Sequence, residues 1–390
     1  LKGKFLHSKS GERTRKVLVI IQYMASMILL CGTLIVFAQL SFMRSQSLGV
    51  KTNQTLVVKF PGHTEGLNTK LEAIARLPLV YQVTFSGAVP GEEVATFLSN
   101  RRTNDALKQN RLYEMLACDP DYVDAYGLQV VAGRNFSEDY GDDVDKLVIN
   151  ETAVRNLGFT SNDEAIGELV NVECTDAPMQ IIGVVKDYHQ QALSKNYTPI
   201  MLIHKDKIAW LPQRYISIVM TSGDPRELVS QVHEIWNQYF ADSSFDYFFL
   251  DQFFDHQYRQ DEVFGVMIGA FTGLAIFISC LGLWILVMFS CSTRTKEMGI
   301  RKVLGASRWT LFYQLVKGFF LLILIAVVIA LPLAWFSMNA WLSHYAFRTD
   351  LKAWFFIMPV LLMLFISFIT VAFQTIKIIM SKPARSLRYE

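Results

Sequence analysis

The 390-residue sequence contains no G-x-x-x-x-G-K-[ST] stretch. It therefore lacks the loop whose backbone amides cradle nucleotide phosphates in P-loop ATPases. It has no H-E-x-x-H and no cysteine pair at zinc spacing, so no metal centre is legible. The seven histidines are scattered. His256 beside Asp255 reads as solvated, and Asp187-Tyr-His189 reads as a loop after an apolar strand. Catalysis is not expected of the chain, and neither is a bound cofactor or metal. Cysteines number five. Cys31, Cys280 and Cys291 fall in or beside apolar runs, where a buried thiol is ordinary. Cys118 and Cys174 fall in a polar segment, where pairing is left open.

The most telling absence is of charge. Val17–Leu40, Phe264–Ser290, Gly318–Met338 and Ala353–Phe373 contain no Asp, Glu, Lys, Arg or His. Each reaches the ~20 apolar residues that span ~30 Å of hydrocarbon. Ion-coupled carriers usually place ionisable groups near the bilayer midplane; here energy has to come from elsewhere. The first run is too long for a signal-peptide core and no clear A-x-A site follows, so it reads as an uncleaved span.

What charge there is, is split. Residues 1–16, 291–317 and 374–390 hold 16 basic and three acidic residues, whereas 41–263 holds 19 basic and 31 acidic. The positive-inside rule places both termini and the 291–317 segment in the cytoplasm. It places 41–263 and the short 339–352 loop outside. Lipid is thus an expected partner, and nucleic acid is not. The expected fold class is an α-helical membrane protein with four transmembrane helices and a large α+β domain between the first and second.

Within 41–263, strand, helix and strand signals recur at both ends: Gln54–Phe60, Gly66–Leu77 and Val80–Ser86, then Tyr215–Thr221, Asp224–Ala241 and Phe245–Leu250. Asp224-Pro225 is a good helix start. One subdomain interrupted by another is expected, the insertion running from about Leu112 to Gln213. The insertion should be rich in short strands, with a helix near Glu151–Leu157. Val170–Cys174 should pair with Met179–Lys186. Asp251–Val263 should extend the second span outward as a helical stalk. Small residues recur every four positions at Gly265, Gly269, Gly273 and at Ala326, Ala330, Ala334, a spacing that lets helices approach closely in lipid.

The segment Arg294-Thr-Lys-Glu-Met-Gly-Ile-Arg-Lys-Val-Leu-Gly-Ala-Ser307 lies between the second and third runs. On a helix, Ile300, Val303 and Leu304 share one side, and Glu297 and Arg301 form a favourable i, i+4 pair. Gly305 can end that helix in the left-handed conformation, and Ser307 can cap the next. It reads as a short amphipathic elbow. A turn that only fixes topology would need the charges but not this order of Gly, Ile and Leu.

That segment closely resembles the R-x-K-E-I-G-I-R-K-x-L-G-A-S signature of MacB/FtsX-type ABC transporter permeases. The tail Lys382-Pro-Ala-Arg-Ser-Leu-Arg-Tyr-Glu390 resembles the N-P-V-K-S-L-R-Y-E ending of tandem members. Gly133-Arg-Asn-Phe136, Asn150-Glu-Thr-Ala153 and Ile181-Ile-Gly-Val-Val-Lys-Asp187 resemble motifs of the family's outer domain. Met298 stands where Ile is usual, and Lys382 where Asn is usual. The resemblance implies a bacterial inner-membrane permease paired with a copy of itself or a homologous half. Its partner would be a separate ABC ATPase that binds ATP and Mg. Glu297, Gly299, Ile300, Arg301, Lys302, Leu304, Gly305 and Ser307 would form the ATPase-coupling site. Beginning at Leu1, the chain reads as a fragment or the second half of an eight-span permease. Export or extraction of a drug, peptide or lipoprotein is the function implied. The alternative is a membrane receptor or regulator, including control of cell-wall hydrolases, that transports nothing.

Overall fold

The structure, a computed structural model, describes residues 9–62, 66–101, 110–137, 143–173, 175–191, 195–208, 210–211, 213–241, 243–303 and 307–379. It divides into two units, one formed by 1–44 with 260–390 and the other by 45–259.

In the 45–259 unit, β1 (Thr55–Lys59), α2 (Leu67–Ala75) and β2 (Val80–Ser86) form the first split βαβ unit. β10 (Tyr215–Met220), α6 (Pro225–Tyr239) and β11 (Tyr247–Phe249) form the second. The two interleave in the order β11-β1-β10-β2, every neighbour antiparallel. Residues with period 2 decide the faces. Leu56, Val58, Ile216 and Ile218 pack with Ile74, Leu228, Val232 and Trp236 of the two helices. Val57 and Ser217, one residue out of phase, face a different core. Asp224 caps α6 by accepting from the Arg226 amide, with Pro225 in the first turn.

Between β2 and β10 the chain forms a closed barrel. β3 (Thr96–Arg101), β4 (Arg111–Cys118), β6 (Lys146–Asn150), β7 (Leu169–Val172), β8 (Met179–Val185) and β9 (Ile200–His204) supply its strands. The circuit runs β4-β3-β7-β8-β6-β9 and closes by parallel pairing of β9 with β4. β5 (Val130–Gly133) adds to β8. The short helices α3 (Tyr122–Ala125), α4 (Glu151–Asn156) and α5 (Asn162–Ala165) lie in its connections. The barrel begins upstream of the expected Leu112 boundary, because β3 pairs with β4 as a hairpin. β7 and β8 pair as expected, in the register Leu169↔Gln180 and Val170↔Met179.

Alternation again sorts the side chains. Tyr113, Met115, Leu147, Ile149, Met201 and Ile203 fill the barrel. Leu116, Cys118, Val148, Ile200 and Leu202 point outward into a second core with Val57, Tyr122, Tyr126 and Tyr188. Strands buried on both faces explain the near-continuous apolar runs. The sheet and barrel share one strand pairing, Ser86↔Cys118. Asp119 reinforces it by accepting from the Thr84 hydroxyl at 2.5 Å and the Phe85 amide at 2.7 Å.

The other unit is helical. α1 (Lys9–Ser45), α8 (Arg308–Leu342) and α9 (Trp354–Ile379) pack with α7, which runs from Leu250 to Val303. These four helices are long and apolar enough to cross a membrane. α7 is 54 residues long, about 80 Å at 1.5 Å per residue. It takes in both the expected stalk and most of the expected elbow as one element. No proline falls within it, and Gly299 alone does not break it. Pro332 and Pro359 lie inside α8 and α9, which remain single helices.

Candidate coupling site

The signature segment lies where α7 ends and α8 begins. Thr293 bonds back to the carbonyls of Phe289 and Ser290, at 3.1 and 3.0 Å. Glu297, Gly299, Ile300, Arg301 and Lys302 lie on the following turns of α7, and Arg301 is exposed. Cations in the last turns of a helix oppose the partial negative charge of its free carbonyls. Leu304 and Gly305 lie outside the described residues. Ser307 has extended backbone, φ −68° and ψ 153°, and accepts from the Thr310 amide at 3.1 Å. It is the N-cap of α8, with its side chain also 2.9 Å from the Thr310 hydroxyl. Residues 294–303 of the expected elbow therefore belong to α7 and are not a short helix of their own.

The small-residue stripes fall as follows. A Cβ on Gly265 would stand 3.3 Å from Leu40 Cδ1 of α1, and one on Gly269 would stand 3.9 Å from Phe37. Nothing lies within 4 Å of a Cβ on Gly273. Ala326, Ala330 and Ala334 are buried in the helical core. A further glycine of α7 escaped the sequence reading: a Cβ on Gly282 would meet the Gln22 side-chain amide of α1. So did three buried or part-buried hydroxyl pairs: Ser26 with Ser279 at 2.8 Å, Thr33 with Thr272 at 2.7 Å, and Ser367 donating to Tyr23 at 2.9 Å. Their only signal was a Ser or Thr within an apolar run.

The outer-domain motifs resolve into latches. Arg134 donates twice to Asp143, at 2.7 and 2.8 Å, and once to the Asn135 carbonyl. This hydrogen bonding holds the Asp143 carboxyl below the usual range. Gly133 has φ +67°, and a Cβ there would stand 2.2 Å from the Ile182 carbonyl oxygen. Asn150 caps α4 through Ala153 and also joins β9, accepting from the Ile200 amide and donating to the Thr198 carbonyl. Asp187 accepts from the Thr152 amide and hydroxyl and from Arg155. His189 lies in a loop, its ring 4.6 Å from that of Tyr197, and burial brings its imidazole down to about 4. Cys118 is a buried free thiol, while Cys174 lies outside the described residues. Among the described residues no group of three His, Cys, Asp or Glu gathers to hold a metal.

The sequence matches the MacB-like periplasmic core domain over residues 24–235 and the FtsX-like permease C-terminal family over 269–383. The chain belongs to the MacB/FtsX-type ABC transporter permeases. Similar curated proteins include the uncharacterized ABC transporter permease YvrN of Bacillus subtilis, 22% identical and covering 52% of each chain. The macrolide export ATP-binding/permease protein MacB of Sodalis glossinidius is 24% identical, over 52% of this chain and 32% of its own. The chain thus spans about half of the one relative and a third of the other. The solved periplasmic region of MacB from Actinobacillus actinomycetemcomitans is 16% identical, with a TM-score of 0.38 over 53% of this chain and 92% of that one. Within this permease family, the Gly133, Asn150 and Asp187 motifs read as fold latches here, since each spends its polar atoms on the domain's own backbone and side chains.

Proposed function

We propose that this chain is the permease subunit of an ABC exporter in a bacterial inner membrane. ATP and Mg bind to a separate ATPase subunit in the cytoplasm, alongside both termini and the α7–α8 elbow. A second copy or a homologous half completes the permease. The ATPase pushes on Glu297, Ile300, Arg301, Lys302 and Leu304, and α7 carries the displacement to the outer domain, which drives out a drug, peptide or lipoprotein.

One observation carries this reading. Residues 294–303 of the signature segment form the last turns of the helix whose first residue follows β11 directly. A hydrogen-bonded helix about 80 Å long transmits an axial push with little loss. The apolar spans, free of ionisable groups, support an energy source outside the membrane. A receptor that transports nothing is not favoured by these features.

The test exchanges a charge pair, Glu297→Lys with Arg301→Glu, and follows the full chain with its co-purifying ATPase. A rim charge has little effect on binding, whereas a buried charged contact is worth ~2–5 kcal/mol. Specific docking predicts loss of co-purification and of ATP-driven export with membrane insertion intact. Unchanged co-purification and export would leave the segment only a topological role.

A further inference from the structure

β2 and β4 share a single pair, Ser86↔Cys118, and then diverge. The chain leaves the sheet at Gly87, whose amide bonds the Ala117 carbonyl at 2.8 Å. It rejoins at Ala95, whose carbonyl accepts from the Met115 amide at 3.1 Å. Met115 and Ala117 are neighbours but one on β4, so residues 88–94 must arch away from the strand. Between arch and strand the outer domain keeps a cavity of about 130 Å³. Ala88, Met115 and Leu211, none more than 5% exposed, line its depth together with Val94. Glu93 and Arg214, with side chains 69% and 57% exposed, complete the lining at its mouth.

The arch is braced along its length. The Ser86 hydroxyl donates to the Ala88 carbonyl at 2.9 Å. Gln190 donates to the Val89 and Glu92 carbonyls at 2.8 and 3.1 Å, and Gln257 to the Gly91 carbonyl at 2.7 Å. The Glu92 amide closes a turn on the Val89 carbonyl at 3.2 Å. Pro90 and Gly91, the latter with φ +94°, are the residues that the middle of a type II turn favours. A wall bonded in this way is preformed, as ligand sites usually are. The volume equals that of roughly four waters at ~30 Å³ each. It is well below the ~300–1,000 Å³ of pockets for drug-sized ligands, so the fitting occupant is small. The apolar depth suits a short aliphatic group, and the mouth offers one base and one acid. Arg214 stands 4.0 Å from the Glu92 carboxylate, beyond hydrogen-bond distance. Its planar fork can therefore take a carboxylate through two parallel bonds. Glu93 pairs with Lys195, but both side chains are more than half exposed, so that pair yields at little cost.

We propose that this cavity binds a small aliphatic α-carboxylate, either a free amino acid or the last residue of a peptide. The aliphatic side chain fills the apolar depth, and the carboxylate meets Arg214. The ammonium group of a free amino acid meets Glu93. The site lies within a single outer domain and needs neither an ATPase nor a second copy of the chain. Export as described above uses neither Arg214 nor Glu93.

The test titrates the full chain in detergent with L-valine, N-acetyl-L-valine, L-valinamide and the tripeptide Ala-Ala-Val, reading binding by saturation-transfer NMR of each ligand. Valine or the tripeptide should bind saturably. Arg214→Gln should weaken whichever binds by at least about fivefold, as expected for a lost charged contact. Its Tm should match the parent's, because the Arg214 side chain is largely exposed. Binding of valine without the tripeptide, weakened by Glu93→Gln, assigns the free amino acid. Binding of the tripeptide and of N-acetyl-valine assigns the peptide end; either result supports the site. No saturable binding of valine or the tripeptide overturns it. So does valinamide binding as tightly as valine, a comparison that needs no variant. A smaller loss than about fivefold in a folded Arg214→Gln also overturns it.

Discussion

Arg134→Ala gives a perturbation whose size can be worked from contacts. The Asp143 side chain is 5% exposed and takes two hydrogen bonds from Arg134, which is 33% exposed. Stripping the partner from a fully buried ion pair costs about 3–5 kcal/mol. The Ser137 amide still donates to Asp143 at 3.1 Å. The partly exposed arginine also gives a screened interaction, so about 2–3 kcal/mol is expected. That raises the open fraction of the outer domain roughly 30- to 150-fold, at 1.4 kcal/mol per factor of ten. Cys118 supplies the probe, being a fully buried free thiol on the barrel's outer wall. With the other cysteines replaced by serine, maleimide labelling of the full chain in detergent reports opening when reclosing is fast. Arg134→Ala with Asp143→Ala should label more slowly than Arg134→Ala alone, since no orphan charge remains. A single variant labelled within about threefold of the parent, where even 1 kcal/mol gives about fivefold, would refute the latch.

Ser307→Ala removes the α8 cap, worth ~1 kcal/mol, and should speed amide exchange at Thr310 roughly fivefold, while Ser307→Asp should preserve protection. Burial raises the Asp119 carboxyl to about 7 despite the two hydrogen bonds it accepts. The folded value lies above the unfolded one of about 4, so its contribution is fully present below pH ~4 and is lost as pH rises to about 7. The Tm of the full chain should fall across that interval, and Asp119→Asn should flatten the slope; an unchanged slope in the variant would count against this reading.

Much of the architecture could be read from periodicity. Both βαβ units followed from alternation and from the Asp224-Pro225 start, and the β7–β8 pairing followed from its turn. Their interleaving did not, because no local pattern says that β10 lies between β1 and β2. Barrel closure by β9 on β4 was equally hidden, since it joins residues more than 80 apart in the chain. At the candidate site, Ser307 could be recognised as a cap from its own chemistry. The fusion of elbow and stalk into α7 was obscured by a change of composition, from apolar to basic, that the backbone ignores. The hydroxyl pairs between α1 and α7 were invisible because a single Ser or Thr hardly alters the hydropathy of a span.

The interleaved sheet has a consequence for the order in which the chain matures. The barrel strands lie between Thr96 and His204, so all are available before Tyr215, the first residue of β10, is synthesised. In the finished sheet β10 lies between β1 and β2, so neither strand has that neighbour until β10 is made. Two unsatisfied strand edges in a half-made sheet are sticky templates for other chains. Distant pairings of this kind are also slow to form. The edges of β1 and β2 that β10 covers are thus open to misassembly until β10 arrives. β11 then docks on β1, and α7 starts at the next residue. Completion of the sheet is thus followed directly in the chain by α7, the second of the four helices long and apolar enough to cross a membrane.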